Sequence, residues 1–423
     1  MSTPTTVKQA GERESALMAP PTTFGDYSRN YWGKIRGGDM GALPAVLGIF
    51  VLSALFALKS PVFLSTRNFA NLFTQGASTV VIAMGLIFVL LLGEIDLAAG
   101  YTSGVAAATL AVLLREPNPK PLIVALAACV GVGAAIGLLQ GMLVAKVGIP
   151  SFVVTLAGFL AWQGVVLAII GEGGNVVITS NAINAIEGKN MSPLAGWVML
   201  IVSVGIYGAI TISRVFRRRR ANLATEPVSI AVFRLAVITV IGAVSVYELN
   251  KQRALGGGTS LRGVPWVVPM IGVLLVIGSY TLNQTTYGRH IYATGGNTEA
   301  ARRAGIRVDR IRISVFVICS VFAALGGVIA ASYLSSVDPQ AGGGNTLLFA
   351  VGAAVIGGTS LFGGRGKMRD AVLGGAVIAI IANGMGLLGW SAAVQFIATG
   401  LVLLVAAGVD AISRKTAAAS GRA

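Results

Sequence analysis

Glu94 and Asp96 lie one residue apart in the run Gly93-Glu94-Ile95-Asp96-Leu97-Ala98-Ala99-Gly100, inside the otherwise apolar tract 77–114. A carboxylate at the centre of a bilayer costs about 2.5–3.5 kcal/mol on insertion scales, so such a pair needs water, a partner or a broken helix. Two readings stand side by side. In one, the acids line a wet translocation path and accept hydrogen bonds from solute hydroxyls or hold a gating loop; in the other, they are solvated in a tight turn between two spans. Both readings put them at a polar cavity or a membrane surface. Other polar groups inside apolar runs are Gln140, Thr155, Gln163, Asn383 and Gln395, with Phe152, Phe159 and Trp162 near some of them. A path for a neutral hydrophilic solute uses sparse hydrogen-bonding and stacking groups of this kind, although each also serves as an interhelical hydrogen bond or a packing residue. Trp162 and Gln163 are the pair singled out. Gly148-Ile149-Pro150-Ser151 interrupts the chain just before Phe152, with Pro150 suited to a helix start, in the pattern of a half-helix pointing into a membrane.

Reactive chemistry is missing. The chain has one His and two Cys, and Cys129 and Cys319 each sit within an apolar run. They imply neither a disulfide framework nor a metal cluster. No Ser-His-acid set can be assembled. Gly366-Lys367 is followed by Met368 and lacks the upstream glycine of a phosphate-binding loop, so ATP is not expected to bind here in the usual way. The chain is expected to hold no cofactor and not to be an enzyme. If work is done with ATP, another subunit must hydrolyse it, with its magnesium.

A polar island, Gly288–Ile306, separates long apolar runs. Asn297 or Thr298 can cap a short helix, Glu299 sits at its positive end, and Gly305 can close it in a left-handed turn. So short a helix is marginal alone, which points to a partner that holds it.

The elements that position these groups are membrane spans. With 55% hydrophobic and 11% charged residues, the 423-residue chain is not an ordinary soluble globule. Its uncharged runs match the roughly 30 Å hydrocarbon core of a bilayer at about 1.5 Å per residue. Spans are predicted at 43–59, 77–93, 97–114, 121–145, 152–170, 194–213, 229–248, 265–282, 311–334, 346–362, 371–389 and 393–409, an all-α polytopic membrane protein of about 10–12 transmembrane helices. Gly133, Gly137 and Gly141 repeat at the spacing of a close helix contact. The net charge of +16 does not point to nucleic acid, because Lys and Arg concentrate on one side of the predicted spans. The clusters Arg214 with Arg217–Arg220, and Arg289 through Arg312, fall on that side. The positive-inside rule then puts both termini in the cytoplasm. Residues 1–42 read as a disordered tail with no cleaved leader, and 410–423 as a second cytoplasmic tail. Residues 60–76, with Phe63, Phe69, Leu72 and Phe73, suit an interfacial helix. The outside loop 171–193, carrying Ile178, Ile183 and Ile186, suits a small helix facing a soluble partner. Spans 194–248 read as a helix pair inserted within the transmembrane domain 43–409, and 283–310 as its cytoplasmic loop.

These motifs carry a family resemblance. Glu299-Ala300-Ala301-x-x-x-Gly305 is similar to the coupling loop of ATP-binding-cassette (ABC) importer permeases. Gly93-Glu94-Ile95-Asp96-Leu97, Gly148 through Leu156, Gly295-Gly296-Asn297 and Gly357-Gly358-Thr359-Ser360-Leu361-Phe362-Gly363-Gly364-Arg365-Gly366 resemble the monosaccharide branch, in the family's order. The resemblance implies the ABC importer permease fold, with broken or re-entrant helices, in a bacterial plasma membrane. It also implies a permease homodimer set in membrane lipid, a cytoplasmic ABC ATPase and an extracytoplasmic sugar-binding protein. Thr298, Glu299, Ala300, Ala301 and Gly305 would dock on the ATPase. Glu94 and Asp96 would line or shape the path, together with Thr155, Trp162 and Gln163, and Thr359, Ser360 and Phe362 would belong to an inner gate. The inserted pair is similar to that of xylose-type permeases, which makes D-xylose the expected sugar. A proton-coupled secondary carrier using Glu94 or Asp96 is the alternative, but it leaves the polar island without a role.

Overall fold

The structure is a computed structural model that describes residues 41–221, 227–254 and 260–419, with isolated positions 25, 29, 32 and 33. The expected tail 1–42 lies almost wholly outside the described residues. Among the described residues, eight helices are long and apolar enough to cross a membrane, and four apolar helices are shorter. Together they match the twelve predicted runs. The described residues divide into two compact units, residues 41–191 with 253–410, and residues 192–252 with 411–419.

The first unit opens with α1 (Leu43–Lys59), α2 (Thr66–Gln75), α3 (Ala77–Leu90) and α4 (Ala99–Leu113). α2 begins where Ser65 accepts the amide of Asn68, the expected start of an interfacial helix. α3 is apolar all round and buried over nearly its whole length, as a helix at the centre of a bundle must be. Next come α5 (Leu122–Met142), ending in the π turn Leu143–Val147, then α6 (Ser151–Ile170), β1 (Val176–Val177) and α7 (Asn181–Gly188). α6 is a full-length helix of 20 residues, not the half-helix the Gly148–Ser151 break predicts. The break arises because Gly148 adopts φ +82° and ends the π turn, after which Pro150 precedes a new helix.

After the second unit's helices come α10 (Val267–Gln284), α11 (Thr286–Gly296), α12 (Thr298–Arg303) and α13 (Val308–Leu334). β2 (Ser336–Val337), α14 (Thr346–Ile356), α15 (Met368–Leu387) and α16 (Ala392–Ala419) complete the chain. α14 ends at Ile356 although the apolar run continues to 362, because the glycine-rich loop beyond it leaves helical geometry. α16 runs through Ala419, so most of the expected tail 410–423 is helical.

α13 is the mast of this unit and packs on α3, α4 and α5. Glycine sets how closely the helices approach. A Cβ at Gly137 would lie 2.5 Å from the Phe316 carbonyl oxygen, and one at Gly133 or Gly141 would lie 2.8 Å from α13 atoms, so the trio is a packing face as its spacing predicts. Among the buried polar groups, Asn68 of α2 and Asn383 of α15 exchange amide hydrogen bonds of 2.9 and 2.8 Å, and Asn383 also donates to Gln75 at 3.0 Å. Asn383 therefore clamps helices together, while Gln395 is half-buried and donates to the Trp390 carbonyl.

In the second unit, α8 (Pro193–Arg220) and α9 (Val228–Asn250) form an antiparallel hairpin, the inserted pair that the sequence predicts. Ser192 caps α8, with Pro193 in its first turn.

Candidate permease site

The two ends of α13 define two functional ends of the first unit. Beside its first turns lie α11, α12, the 91–98 break and the 357–367 loop. At its last turn lie α7 and the β1–β2 pair.

At the α12 end, Asn297 caps the short helix, its Oδ1 accepting the Ala300 amide at 2.9 Å, whereas Thr298 donates instead to the Thr294 carbonyl. Gly305 at φ +84° closes the helix, and the Ile306 amide returns to the Ala301 carbonyl at 3.1 Å. Ala301 is buried and anchors the segment, while Glu299, Ala300, Arg302 and Arg303 are exposed. Glu299 and Arg302 make only an exposed pair at 3.4 Å, which leaves the outer face free to meet another surface.

Directly behind this segment, Arg312 Nε on α13 lies 3.0 Å from Glu94 Oε1. The side chains are 26% and 14% exposed, a partly buried pair that connects the first turn and a half of α13 to the 91–98 break. Leu91 of that break accepts the Gly364 amide at 2.8 Å, and a Cβ at Gly295 would fall 1.7 Å from the same Leu91 oxygen. Only glycine fits there. Tyr292 on α11 donates to the Gly366 carbonyl at 2.7 Å. Burial and the nearby Asp370 carboxylate push the Tyr292 phenol up to about 12, so it remains a donor. Three glycine-rich motifs, separated in sequence, therefore form one knot.

Within the 357–367 loop, Thr359 donates to Asp370 Oδ2 at 3.2 Å, and the Lys367 amide donates to the same oxygen at 2.7 Å. Thr359 and Ser360 are each 1% exposed and hold the loop in shape, whereas Phe362 is exposed. The carboxylate that organises the loop, Asp370, was not among the residues expected at the site. Its signal was an acid immediately before the predicted span 371–389.

Asp96 departs from the expectation of a polar cavity or surface. It is fully buried, and its Oδ1 accepts the Ala98 amide at 2.9 Å, so the acid fastens the start of α4 beside Cys319 of α13. A carboxylate placed at a helix start satisfies amides that no intrahelical carbonyl reaches. The peptide between the two acids is clamped from α6. Ser151 Oγ accepts the Ile95 amide at 3.3 Å, and Thr155 donates to the Ile95 carbonyl at 3.1 Å and to Ser151 at 2.9 Å. Trp162 and Gln163 separate. The Trp162 indole nitrogen and the Gln140 amide converge on Gly158, where a Cβ would meet them at 3.1 and 2.8 Å, and all three of these polar atoms are buried without a hydrogen-bond partner. Gln163 faces outward, because adjacent helical residues lie about 100° apart. Phe159 packs edge-on against Tyr101 at 4.8 Å.

At the opposite end, α7 is seated by Ile183, which is 1% exposed, and by Ser332 of α13, which donates to the Ile183 carbonyl at 2.7 Å and accepts the Glu187 amide at 3.1 Å. Two cavities of mixed polar and apolar lining meet there. One of about 380 Å³ is lined in part by Asn184, Lys189 and Ser332, and another of about 280 Å³ by Gln75, Thr79, Asn345 and Thr346. Thr74, Glu187 and Tyr333 belong to both walls. The Glu187 carboxylate is buried without a hydrogen-bond partner, and burial pushes it up to about 9. Sequence reasoning foresaw the small helix but missed Glu187, whose surroundings come from residues more than a hundred positions away.

A family profile described as branched-chain amino acid transport system / permease component matches residues 68–407. The chain is 36% identical over 394 residues to the xylose transport system permease protein XylH of Escherichia coli K12, covering 90% of this chain and 95% of that protein. To XylH of Haemophilus influenzae it is 32% identical over 387 residues, covering 90% and 99%. To the ribose import permease protein RbsC of Escherichia coli K12 it is 31% identical over 371 residues, covering 86% and 92%. No solved structure matches. The helical bundle, the exposed α12 and these matches along nearly the whole chain lead to one conclusion: this protein belongs to the family of ABC importer permeases, among its sugar-transporting members.

Proposed function

We propose that this chain is the membrane permease subunit of an ATP-driven monosaccharide importer and that its sugar is D-xylose. The observation that carries the substrate is the match to xylose permeases over 90% of the chain. A sugar importer of this class works with an ATPase and a binding protein. On our reading the permease is a homodimer in a plasma membrane, with both termini and α12 in the cytoplasm and α7 outside.

The exposed face Glu299-Ala300-Arg302-Arg303 supports docking of the ATPase on α12. Movement of α12 reaches the break at 91–98 by two contacts, the Arg312–Glu94 pair and the Gly295–Leu91–Gly364 knot. The buried Asp96, Thr155, Thr359 and Ser360 then act by holding the shape of the gate, while Phe362 is its exposed member. Gln140 and Trp162, with unspent hydrogen-bonding atoms, are the groups available to a passing hydroxyl. The cavities at the α7 end receive the sugar from the binding protein. Sealing Asp96 from solvent and pairing Glu94 with Arg312 favour this reading over a proton-coupled carrier, which needs an acid reachable by water.

Uptake of radiolabelled D-xylose into vesicles holding the permease, its ATPase and its binding protein tests the proposal. ATP-dependent uptake competed by xylose and not by ribose or leucine is expected. ATP-dependent uptake of another solute would discard xylose, and uptake without ATP would overturn the importer reading.

A further inference from the structure

The α8–α9 hairpin carries a feature that transport does not use. α8 has 28 residues, about 42 Å at the helical rise, against a hydrocarbon core of roughly 30 Å. Its last turns therefore stand at headgroup level, and there the residues are Arg217, Arg218, Arg219 and Arg220. None of these guanidinium groups has a carboxylate partner among the described residues. Above them, between the two helices, runs a narrow slot of about 70 Å³. Gly208, Val215 and Phe216 of α8 and Val232 and Leu235 of α9 form its walls, and Arg219 stands in its lining. Phe216 and Val232 are more than half exposed, so the slot opens sideways.

Arginines at a cytoplasmic span end satisfy the positive-inside rule by themselves, and that rule asks for no cavity. The slot is the second observation. Its walls are almost wholly apolar and it opens sideways within the bilayer, so hydrocarbon is what lies against it, and there hydrocarbon means an acyl chain. Among the described residues the charged group in its lining is Arg219, which has no carboxylate partner there, and the other three arginines of the cluster adjoin it. Basic pockets between helices at a membrane surface select acidic headgroups, with an arginine fork matched to a phosphate.

We infer that this arginine-ended slot binds one phospholipid with an anionic phosphodiester headgroup, one acyl chain lying between α8 and α9 and the phosphate held by Arg219 and its neighbours.

The test uses the full chain purified in detergent, with phosphatidylglycerol or phosphatidylcholine of identical acyl chains added, and native mass spectrometry to count bound lipid. Wild type should retain phosphatidylglycerol at least tenfold better than phosphatidylcholine. The variant carrying Arg217→Gln, Arg218→Gln, Arg219→Gln and Arg220→Gln should lose that preference and bind both lipids alike. Gly208→Phe, which fills the slot, should lower retention of both. Equal retention of the two lipids by wild type, or an unchanged preference in the arginine variant, would overturn the assignment. Displacement of phosphatidylglycerol by millimolar inorganic phosphate would assign the arginines to a free anion and also overturn it. Should Gly208→Phe fail to fold by size exclusion, the arginine variant decides alone.

Discussion

The pair Glu94–Arg312 shows how one residue can be read two ways until its partner is known. As an isolated acid near an apolar run, Glu94 fits a pore lining, but 3.0 Å from Arg312 it becomes a strut between the helix after α12 and the broken segment before α4. Removing one member leaves the other partly buried and unpaired, a cost of about 1.5–3 kcal/mol. Glu94→Arg should therefore reduce xylose uptake about tenfold or more, and Glu94→Arg with Arg312→Glu should recover most of it. Failure of the double variant to recover, with normal insertion, would remove the strut. Glu187 yields a prediction in pH. Its folded value, about 9, lies above the ordinary 4.5, so between these values the folded protein holds a proton that the unfolded chain releases. Stability from this group is present at low pH and declines as pH rises through that window. Glu187→Gln cannot ionise, so its melting temperature in detergent should gain on wild type progressively from pH 5 to pH 9. A difference independent of pH would contradict the buried, ionisable carboxylate.

At the scale of elements, α12 has too few residues to hold itself together. Six residues, an Asn297 cap and Gly305 at φ +84° keep it only because Ala301 is buried on the bundle. Proline at 305 cannot adopt positive φ and would tear the segment's closure. Gly305→Pro and Glu299→Lys are each expected to abolish ATP-driven uptake and weaken copurification of the ATPase, while the permease still inserts in the membrane. Normal copurification with normal uptake in both would remove α12 as the docking element. The α5–α13 contact is a different type of element, one where small size alone does the work. Gly137→Leu would place side-chain atoms where the Phe316 carbonyl now lies, and overpacking of this kind costs about 1–3 kcal/mol or more. A clear fall in melting temperature with α12 chemistry untouched is the expected outcome.

At the scale of the whole molecule, the two ends of α13 must face opposite compartments if the transport reading holds. Both native cysteines are buried, so introduced thiols report cleanly. In intact cells a membrane-impermeant maleimide should label Glu116→Cys, in the exposed turn between α4 and α5 expected outside, and should label Arg303→Cys only after permeabilisation. The reverse pattern would invert the orientation and with it the side on which the ATPase docks.

The sequence alone determined the order and positions of the apolar helices, about 10–12 of them, the two helices now seen as α8 and α9, the helix on the loop after α6 and the capped, glycine-closed α12. These follow from hydropathy, capping residues and glycine, which act over a few positions of chain. The three glycine-rich motifs were legible too, each as a local break in an apolar run, and their order carried the family. What they do to one another was not legible. That Gly295 meets Leu91, that Glu94 finds Arg312, that Asp96 is sealed at a helix start, and that Gln163 turns away from Trp162 were all decided by tertiary structure. A polar residue in an apolar run states only that a partner is needed. Which partner, or whether a pore supplies it, depends on contacts between segments up to about three hundred positions apart, as the Asn68–Asn383 pair shows. Local patterns cannot encode such contacts, because the packing of α13 against α3, α4 and α5 creates them.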